Sequence, residues 1–414
     1  MSLTQFVLRI GRGVAIGFAL AGCLIVLGHG SHQQEEVTQE EKTEEKAEEK
    51  QVKVEDPKHQ RAIDKDIERG KETAKYIEES EDFTFSSNQE YISKVERIGA
   101  ELALVAQQHQ VEVSWGDSRL SPFEYKFHVL EGDDINAFSI PGGFIYIYEG
   151  LIDFAESDDE LAGVIAHEIS HAAFRHIATL DREASKVNLA TLPLIIAAVL
   201  SNDRNSGALL TGTQLAATGI FSGWSVKAEK SADYGGIQYM MNSDYNPLGV
   251  LTFMERLGYQ QRLRPRVNWG IYETHPPHQE RAQSIIRELN EADIPINRSE
   301  VTTSLRSTWV KTDSGIQLFF GETALHEFSG LDAETRANKA VRRLNSFYDS
   351  VPALFELEQR GDSMYGRNRK LFSISEDDAA ALELTQEEAL AKTYSAMRKT
   401  VFDLAYRMWN SNGR

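Results

Sequence analysis

Two histidines four residues apart, with a glutamate directly after the first, occur in the stretch His167-Glu168-Ile169-Ser170-His171. A four-residue step on an α-helix turns the chain by about 400°, so both imidazoles project from one face, a turn apart. Two neutral ring nitrogens placed in this way can bind one Zn²⁺ ion. Glu168 lies about 100° around the helix from His167, close enough to act on a water at the metal without being a ligand. The stretch therefore predicts a helix that carries a zinc site with an acid beside it.

The residues around this stretch predict where the helix begins. Ser157 is followed by Asp158, Asp159 and Glu160, which is typical of a capping box with acids in the first turn. Apolar residues then recur at the spacing of a buried helix, namely Leu161, Val164, Ile165 and Ile169.

A third metal ligand is expected from another part of the chain. Glu229 and Asp233 lie one helical turn apart. Glu229 would complete a His/His/Glu site and leave the fourth position for water. Asp233 would share that helical face and could orient one histidine by a hydrogen bond. A solvated acidic helix face is the alternative interpretation of this pair.

His176 suggests a different ligand set, with a third histidine. That pattern requires H-E-x-x-H-x-x-G-x-x-H, whereas Phe174 stands where the glycine should be and His176 comes one residue early. On a continuous helix His176 would also point about 180° away from His167. We therefore expect His176 to be a packing or surface residue.

Charge and cysteine content limit the classes of partner and fold. The net charge of −19 argues against a nucleic-acid partner, because phosphate contacts need clustered Lys and Arg. A single cysteine excludes an internal disulfide framework. The 414 residues, of which 41% are hydrophobic, provide enough material for one large domain and an accessory one.

The N-terminus is organised for export. Residues 1–30 combine basic residues, a short apolar run and small residues, as signal peptides do. Leu20-Ala21-Gly22-Cys23 resembles a bacterial lipobox, which would make Cys23 the lipidated first residue of the mature chain. Because the apolar run continues past Cys23, an uncleaved anchor is the alternative, although about fourteen apolar residues is short for a membrane span. Residues 31–56, with repeated Glu-Glu-Lys units, predict an acidic, solvated linker.

The folded part begins at Pro57. Two sets of apolar residues at helical spacing predict two helices: Ile63, Ile67, Ala74 and Ile77, then Tyr91, Val95, Ile98, Leu102 and Val105. Strands are predicted at residues 111–115, 123–130 and 144–148. This order of helices, a small sheet and the metal helix predicts a mainly helical α+β domain.

Two apolar stretches, residues 189–200 and 208–221, lie between the zinc motifs. The first is interrupted by Pro193, and both are shorter than the 18 or so residues usual for a membrane span. They predict a helical hairpin over the active site and a candidate lid.

Four ordered motifs carry a family resemblance: residues 136–143 (Asn-Ala-Phe-Ser-Ile-Pro-Gly-Gly), the His-Glu helix, residues 229–233 and residues 274–281 (Thr-His-Pro-Pro-His-Gln-Glu-Arg). Together they resemble the gluzincin family of zinc metallopeptidases, which includes CAAX prenyl proteases and HtpX-type, Oma-type and BepA-like peptidases. The resemblance implies one Zn²⁺ per chain held by His167, His171 and Glu229, with Glu168 as general base. Ser231 stands where the family often has Glu, outside the ligand positions.

The resemblance also assigns two further roles. An extended substrate would pair with the strand made of Phe144, Ile145, Tyr146, Ile147 and Tyr148. His275 matches a catalytic-site histidine of the family, which would either stabilise the oxyanion or cap the zinc in a closed resting state.

The division into regions follows from these observations. Residues 57–298 form the expected metallopeptidase domain, and residues 299–414 an α/β accessory domain. In the latter, residues 304–320 predict strands joined by a turn at Asp313-Ser314-Gly315, and residues 331–351 and 387–409 predict helices.

The expected function is a zinc metalloendopeptidase of the bacterial cell envelope. It would be tethered to a membrane by its N-terminus, with the catalytic domain extracytoplasmic (periplasmic), and would cleave misfolded or misassembled envelope polypeptides. The alternatives are a zinc-containing, chaperone-like protein that holds clients, and a latent protease with His275 plugging the metal site. The oligomeric state is left open.

Overall fold

The structure is a computed structural model that describes residues 56–184, 226–263, 275 and 279–408. Its described helices are α1 (Pro57–Glu79), α2 (Gln89–Gln108), α3 (Glu149–Phe154), α4 (Asp158–Ala173), α5 (His176–Ala184), α6 (Val226–Met241), α7 (Leu248–Leu263), α8 (Gln279–Glu291), α9 (Arg298–Val301), α10 (Ala333–Asp349), α11 (Glu376–Ala381) and α12 (Gln386–Arg407). Its described strands are β1 (Lys126–Leu130), β2 (Ala137–Ile140), β3 (Phe144–Tyr148), β4 (Ser307–Lys311), β5 (Ile316–Phe320), β6 (Thr323–Phe328), β7 (Leu357–Arg360), β8 (Ser363–Gly366) and β9 (Arg369–Ser373). The mainly helical α+β class predicted from the sequence is confirmed.

The first sheet has β3 as its central strand. β3 pairs in parallel with β1 along its whole length and antiparallel with β2. Backbone groups on both sides of β3 are therefore already paired, and no edge is left for an added strand. The interpretation of Phe144–Tyr148 as the strand that pairs with substrate is wrong for this reason. Within the described residues, the edges of this sheet are β1 and β2.

α4, the helix with the two motif histidines, is buried on almost every side. All residues from Glu160 to Ala173 are buried, and the helix packs against α2, α6 and α7. Its predicted start is confirmed, because Oγ of Ser157 accepts a hydrogen bond from the backbone N–H of Glu160. The reciprocal half of the capping box differs: the Glu160 carboxylate accepts from the N–H of Glu156 and pairs with Arg256 of α7.

Glycines allow α7 to approach α4 closely. A Cβ on Gly249, in the first turn of α7, would lie 2.0 Å from the carbonyl oxygen of Asp159. A Cβ on Gly163 of α4 would lie 2.8 Å from the backbone nitrogen of Val250. Side chains larger than hydrogen at these positions would push the two backbones apart and change the depth at which α4 sits.

The expected strand at residues 111–115 is not formed. Residues around it are a loop whose hydrogen bonds go to the end of α4: the N–H of Asp117 donates to the carbonyl of Phe174, and the carbonyl of Trp115 faces His176. The prediction of a strand at residues 111–115 is wrong because tertiary hydrogen bonds, and not a sheet, hold this part of the chain.

Residues 304–408 form two further three-stranded antiparallel sheets, β4–β5–β6 and β7–β8–β9, packed with α10 and α12. The hairpin predicted over residues 304–320 is confirmed, whereas β6 to β9 were not predicted. The apolar cluster of residues 305–408 is separate from that of residues 95–301. Arg298 crosses this boundary, because it pairs with the buried Glu255 of α7 and also donates to the carbonyl of Asp349. The domain boundary between residues 298 and 299 stays a prediction.

Within the described residues, the chain contains no helix that is both long and apolar enough to cross a membrane. The expected signal or anchor with Cys23, the linker up to residue 55 and the hairpin between residues 189 and 221 lie outside the described residues.

We expect Gly249→Ala to lower the free energy of unfolding by about 1–3 kcal/mol, because the added methyl group overlaps the backbone of Asp159. Urea denaturation provides the measurement. Gly236→Ala on α6 is the matched control. Its Cβ would lie 3.3 Å from the backbone nitrogen of His167, so the neighbouring backbone would have to move far less. Equal stability of the Gly249→Ala and Gly236→Ala proteins would contradict this account of the α4–α7 packing.

Candidate metal centre

The two motif histidines lie on the face of α4 that points into the protein. Both rings are buried, and the Nε2 atoms of His167 and His171 are 3.0 Å apart. The four-residue spacing thus brings both imidazoles to one point, as the helical geometry predicted.

Glu229 reaches the same point from α6. Its Oε2 lies 3.4 Å from Nε2 of His167, and its Oε1 lies 3.5 Å from Nε2 of His171. The approach of α6 is possible because it presents small residues to α4: a Cβ on Gly235 would lie 2.7 Å from Oγ of Ser170. The sequence had suggested either a ligand or a solvated acidic face for Glu229, and the side chain is almost fully buried.

His275 completes the cluster. Its Nδ1 lies 3.3 Å from Nε2 of His167 and 3.1 Å from Oε2 of Glu229, and its Nε2 lies 3.4 Å from Oε1 of Glu168. One donor atom from each of His167, His171, Glu229 and His275 therefore falls within 4.8 Å of the other three.

The Nδ1 atoms of His167 and His171 point away from the cluster. Their hydrogen-bond partners indicate whether a cation fits between the two Nε2 atoms. Nδ1 of His167 lies 3.0 Å from Oδ1 of Asp233, and a carboxylate can only accept, so this nitrogen carries the hydrogen. Nδ1 of His171 faces His176 at 2.9 Å. If both rings are protonated at Nδ1, their Nε2 lone pairs point at each other and repel unless a cation or a proton lies between them.

The charges and distances in the cluster are compatible with a bound metal ion. Burial opposes protonation of His167, yet the hydrogen bonds with Asp233 and Glu229 raise its pKa to about 9, so the cluster favours positive charge at this ring. Ligand atoms about 2.0–2.1 Å from Zn²⁺ in a tetrahedral site are about 3.3 Å from one another. The three separations among the ligand atoms of His167, His171 and Glu229 run from 3.0 Å to 3.5 Å, so these three residues fit such an ion.

Glu168 lies beside the cluster without a hydrogen-bond partner. It is buried, and neither of its carboxylate oxygens makes a hydrogen bond among the described residues. An apolar recess of about 40 Å³ adjoins it, with Val164, Phe253 and Met254 in the wall. A buried acceptor that makes no hydrogen bond among the described residues is suited to hold a water molecule or a substrate group.

Asp233 has the position that the sequence predicted, and it shares a partner that the sequence reading missed. Arg281, from the first turn of α8, is buried and bridges two carboxylates: its Nη1 lies 2.8 Å from Oε2 of Glu229, and its Nη2 lies 2.7 Å from Oδ1 of Asp233. Burial alone would raise the pKa of Glu229, but the charges of His275 and Arg281 hold it well below its usual range. An arginine in the first turn of a helix interacts unfavourably with the helix dipole. Its presence there was the feature of the sequence that could have indicated a carboxylate partner for Arg281.

His176 is neither at the surface nor a simple packing residue. It is fully buried, with Nδ1 2.9 Å from Nδ1 of His171. The expectation failed because α4 ends at Ala173 and the chain turns at Arg175, whose φ is 54°. Burial lowers the pKa of His176 to about 3, so this ring is neutral.

Part of the chain is similar to known metalloproteases. Residues 95–289 match the model of Peptidase family M48. The chain is 36% identical over 170 residues to the beta-barrel assembly-enhancing protease of Escherichia coli, covering 40% of this chain and 34% of that protein. It is 29% identical over 192 residues to the mitochondrial metalloendopeptidase OMA1 of Schizosaccharomyces pombe, covering 46% and 54%. It is 30% identical over 167 residues to the metalloprotease LoiP of Escherichia coli, covering 40% and 62%.

The chain therefore spans only part of the length of these curated relatives, about a third of the first. The matched region contains the His-Glu helix, Glu229 and His275, and the resemblance to zinc metallopeptidases of the gluzincin type is confirmed.

We expect Arg281→Met to destabilise the zinc-free protein by about 3–5 kcal/mol, because Glu229 and Asp233 would be left buried without their cation. Urea unfolding in the presence of a chelator measures this loss. The control is Arg287→Met, on an exposed position of the same helix, which should change stability little. If both variants unfold at the same urea concentration, Arg281 does not compensate the buried carboxylates.

Proposed function

We propose that this protein, whose residues 95–289 match Peptidase family M48, is a zinc metalloendopeptidase that hydrolyses internal peptide bonds of polypeptides. The observation that carries the proposal is the buried cluster of two imidazoles and a carboxylate with Glu168 directly beside it. Three of these groups form the ligand set of a catalytic zinc site, which keeps one position for the reaction.

The chemistry divides between the metal and the chain. When bound, Zn²⁺ polarises the scissile carbonyl and lowers the pKa of water to about 7. Glu168 takes a proton from the attacking water and delivers it to the leaving amine. Asp233 accepts the hydrogen on Nδ1 of His167, so Nε2 is the nitrogen that faces the metal position. Arg281 holds Glu229 and Asp233 in their ionised forms.

His275 supports the latent form of this function rather than an oxyanion role. Its Nδ1 stands at the fourth corner of the ligand cluster, where water or substrate has to enter. It also covers Glu168, because its Nε2 lies 3.4 Å from that carboxylate. We therefore propose that the described conformation is a resting state and that His275 withdraws before substrate binds.

An extended substrate would add to the outer edge of β2 instead of β3. Ser139 of β2 and Pro141, which directly follows this strand, line the same small recess as His171. A strand added at this edge would gain main-chain hydrogen bonds and bring its backbone towards the metal ligands.

The substrate class and location rest on the sequence and on the relatives. The N-terminal features predict export and a membrane tether. Two relatives are bacterial proteases, and the first is named for enhancing beta-barrel assembly. We propose that the protein works in the bacterial cell envelope, outside the cytoplasm, on misfolded or misassembled proteins.

A chaperone-like role without cleavage is the second candidate. It would use the same fold to hold clients. Glu168 argues against it. Its buried carboxylate lies 3.4 Å from Nε2 of His275 but makes no hydrogen bond among the described residues, which costs stability, and a scaffold has no need of a base.

We expect Glu168→Gln to fold and to keep zinc while casein cleavage falls by at least about 100-fold, because the amide cannot accept the proton. Zinc content and peptide release are measured on the same preparation. Glu160→Gln is the matched control, since Glu160 is a buried glutamate of the same helix that lies outside the ligand cluster. Cleavage that survives in Glu168→Gln would contradict the assignment of the base.

We expect His275→Ala to raise kcat/KM for casein, because the variant frees the fourth corner of the site. The opposite result has an equally clear meaning. A fall of about 100- to 1000-fold would show that the imidazole stabilises the developing oxyanion.

A further inference from the structure

His176 occupies a defined position between the metal cluster and a neighbouring loop. On one side its Nδ1 lies 2.9 Å from Nδ1 of His171, and on the other its Nε2 lies 3.3 Å from the carbonyl oxygen of Trp115. The ring is fully buried and meets the ring of His171 edge-on, with the centroids 4.8 Å apart. Both nitrogens of His176 are therefore aimed at a specific atom.

A rigid arrangement places this ring behind His171. Arg175 adopts φ 54°, which is uncommon for a residue other than glycine, and turns the chain back between α4 and α5. Its buried guanidinium is held by Asp66 of α1 at 2.6 Å and by Asp117 at 3.3 Å. These ion pairs stabilise the strained turn.

The loop before Asp117 closes the arrangement from the other side. Gly116 has φ 115°, and a Cβ at this position would lie 2.9 Å from the carbonyl oxygen of Phe174 and 3.0 Å from Cδ2 of His176. The N–H of Asp117 donates to the carbonyl of Phe174. The carbonyl of Trp115 is thereby fixed against the imidazole.

The direction of the hydrogen bonds follows from the chemistry of the end group. A carbonyl oxygen only accepts, so Nε2 of His176 carries a hydrogen and donates it to Trp115. Its other nitrogen, Nδ1, faces Nδ1 of His171 and can accept a hydrogen bond from it. If Nε2 of His171 binds the proposed metal ion, the hydrogen of that ring is on Nδ1, which can then donate it to Nδ1 of His176.

We propose that His176 is a positioning residue that sets the tautomer and orientation of His171 through a hydrogen-bond chain from His171 to His176 to the carbonyl of Trp115. The inference rests on the proposed function, because it concerns one ligand of the proposed zinc site. It gives His171 a counterpart of what Asp233 does for His167. The two ligand rings are thus oriented differently, one by a carboxylate and the other by a neutral imidazole.

The first experiment reads the tautomers directly in the zinc-loaded, full-length protein. Nitrogen-15 NMR of labelled histidine side chains should show His176 protonated at Nε2 only, and a coupling across the hydrogen bond between the two Nδ1 nitrogens. A His176 ring protonated at Nδ1, or absence of that coupling, would overturn the proposal. This measurement needs no variant and does not depend on how a variant folds.

The second experiment measures zinc affinity by competition with a chelating indicator. His176→Phe keeps the aromatic volume but removes the acceptor, and we expect about 10- to 100-fold weaker binding. His176→Asn places a carbonyl oxygen close to the position of Nδ1 and should lose less than about 10-fold. His326→Phe is the matched control, because His326 is equally buried but contacts Thr393 and Asp378 in the C-terminal region.

In protein loaded with cobalt in place of zinc, we expect the absorption spectrum of His176→Phe to differ from that of the unchanged protein, as a sign of altered ligand geometry. The spectrum of cobalt-loaded His326→Phe should not change. Equal zinc affinity of His176→Phe and the unchanged protein would overturn the positioning role while leaving the proposed function intact. Failure of the unchanged protein to bind zinc would contradict the proposed function itself.

Discussion

The arrangement depends on the burial of several ionisable groups around one point. His167, His171, Glu229 and His275 bring nitrogen and oxygen donors together where water is excluded, and Glu168 is buried beside them. Such a cluster is unfavourable unless opposite charge is supplied, because burial penalises every unpaired charge. Arg281 supplies one positive charge from α8, and a divalent cation at the centre would supply the rest. The packing of α4, α6 and α8 holds these charged groups at fixed distances from one another.

Contacts beyond the metal donors decide what those donors can do. A histidine ligand is useful only if the nitrogen that faces the metal has no hydrogen, and this is decided by the partner of its other nitrogen. Asp233 is that partner for His167, and His176 has the corresponding position behind His171. These partners come from two different helices, α6 for Asp233 and α5 for His176.

The position of His275 connects structure with control of activity. A residue that contacts the ligands and Glu168 at once both completes the cluster and blocks it. In the proposed mechanism, the same side chain contacts the buried charged groups in the described conformation and would have to move when a substrate strand arrives along β2. At the other end of α4, Glu160 pairs with Arg256, which also pairs with Glu156, and Glu156 accepts a hydrogen bond from the backbone of Ser304. The start of the metal helix is thus connected to the C-terminal region.

The sequence alone was sufficient where the chemistry is local. The spacing of His167 and His171, and that of Glu229 and Asp233, follows from the 3.6-residue period of the helix that carries each pair, wherever that helix lies. The Ser157 cap follows from a hydrogen bond local to the start of α4. Their convergence, the central place of β3, the bridge made by Arg281 and the contact of His176 with His171 were decided only by the tertiary structure. Each of these depends on residues distant in sequence or on a break in the helix, as at Arg175, and periodicity carries no information about where a chain turns back on itself.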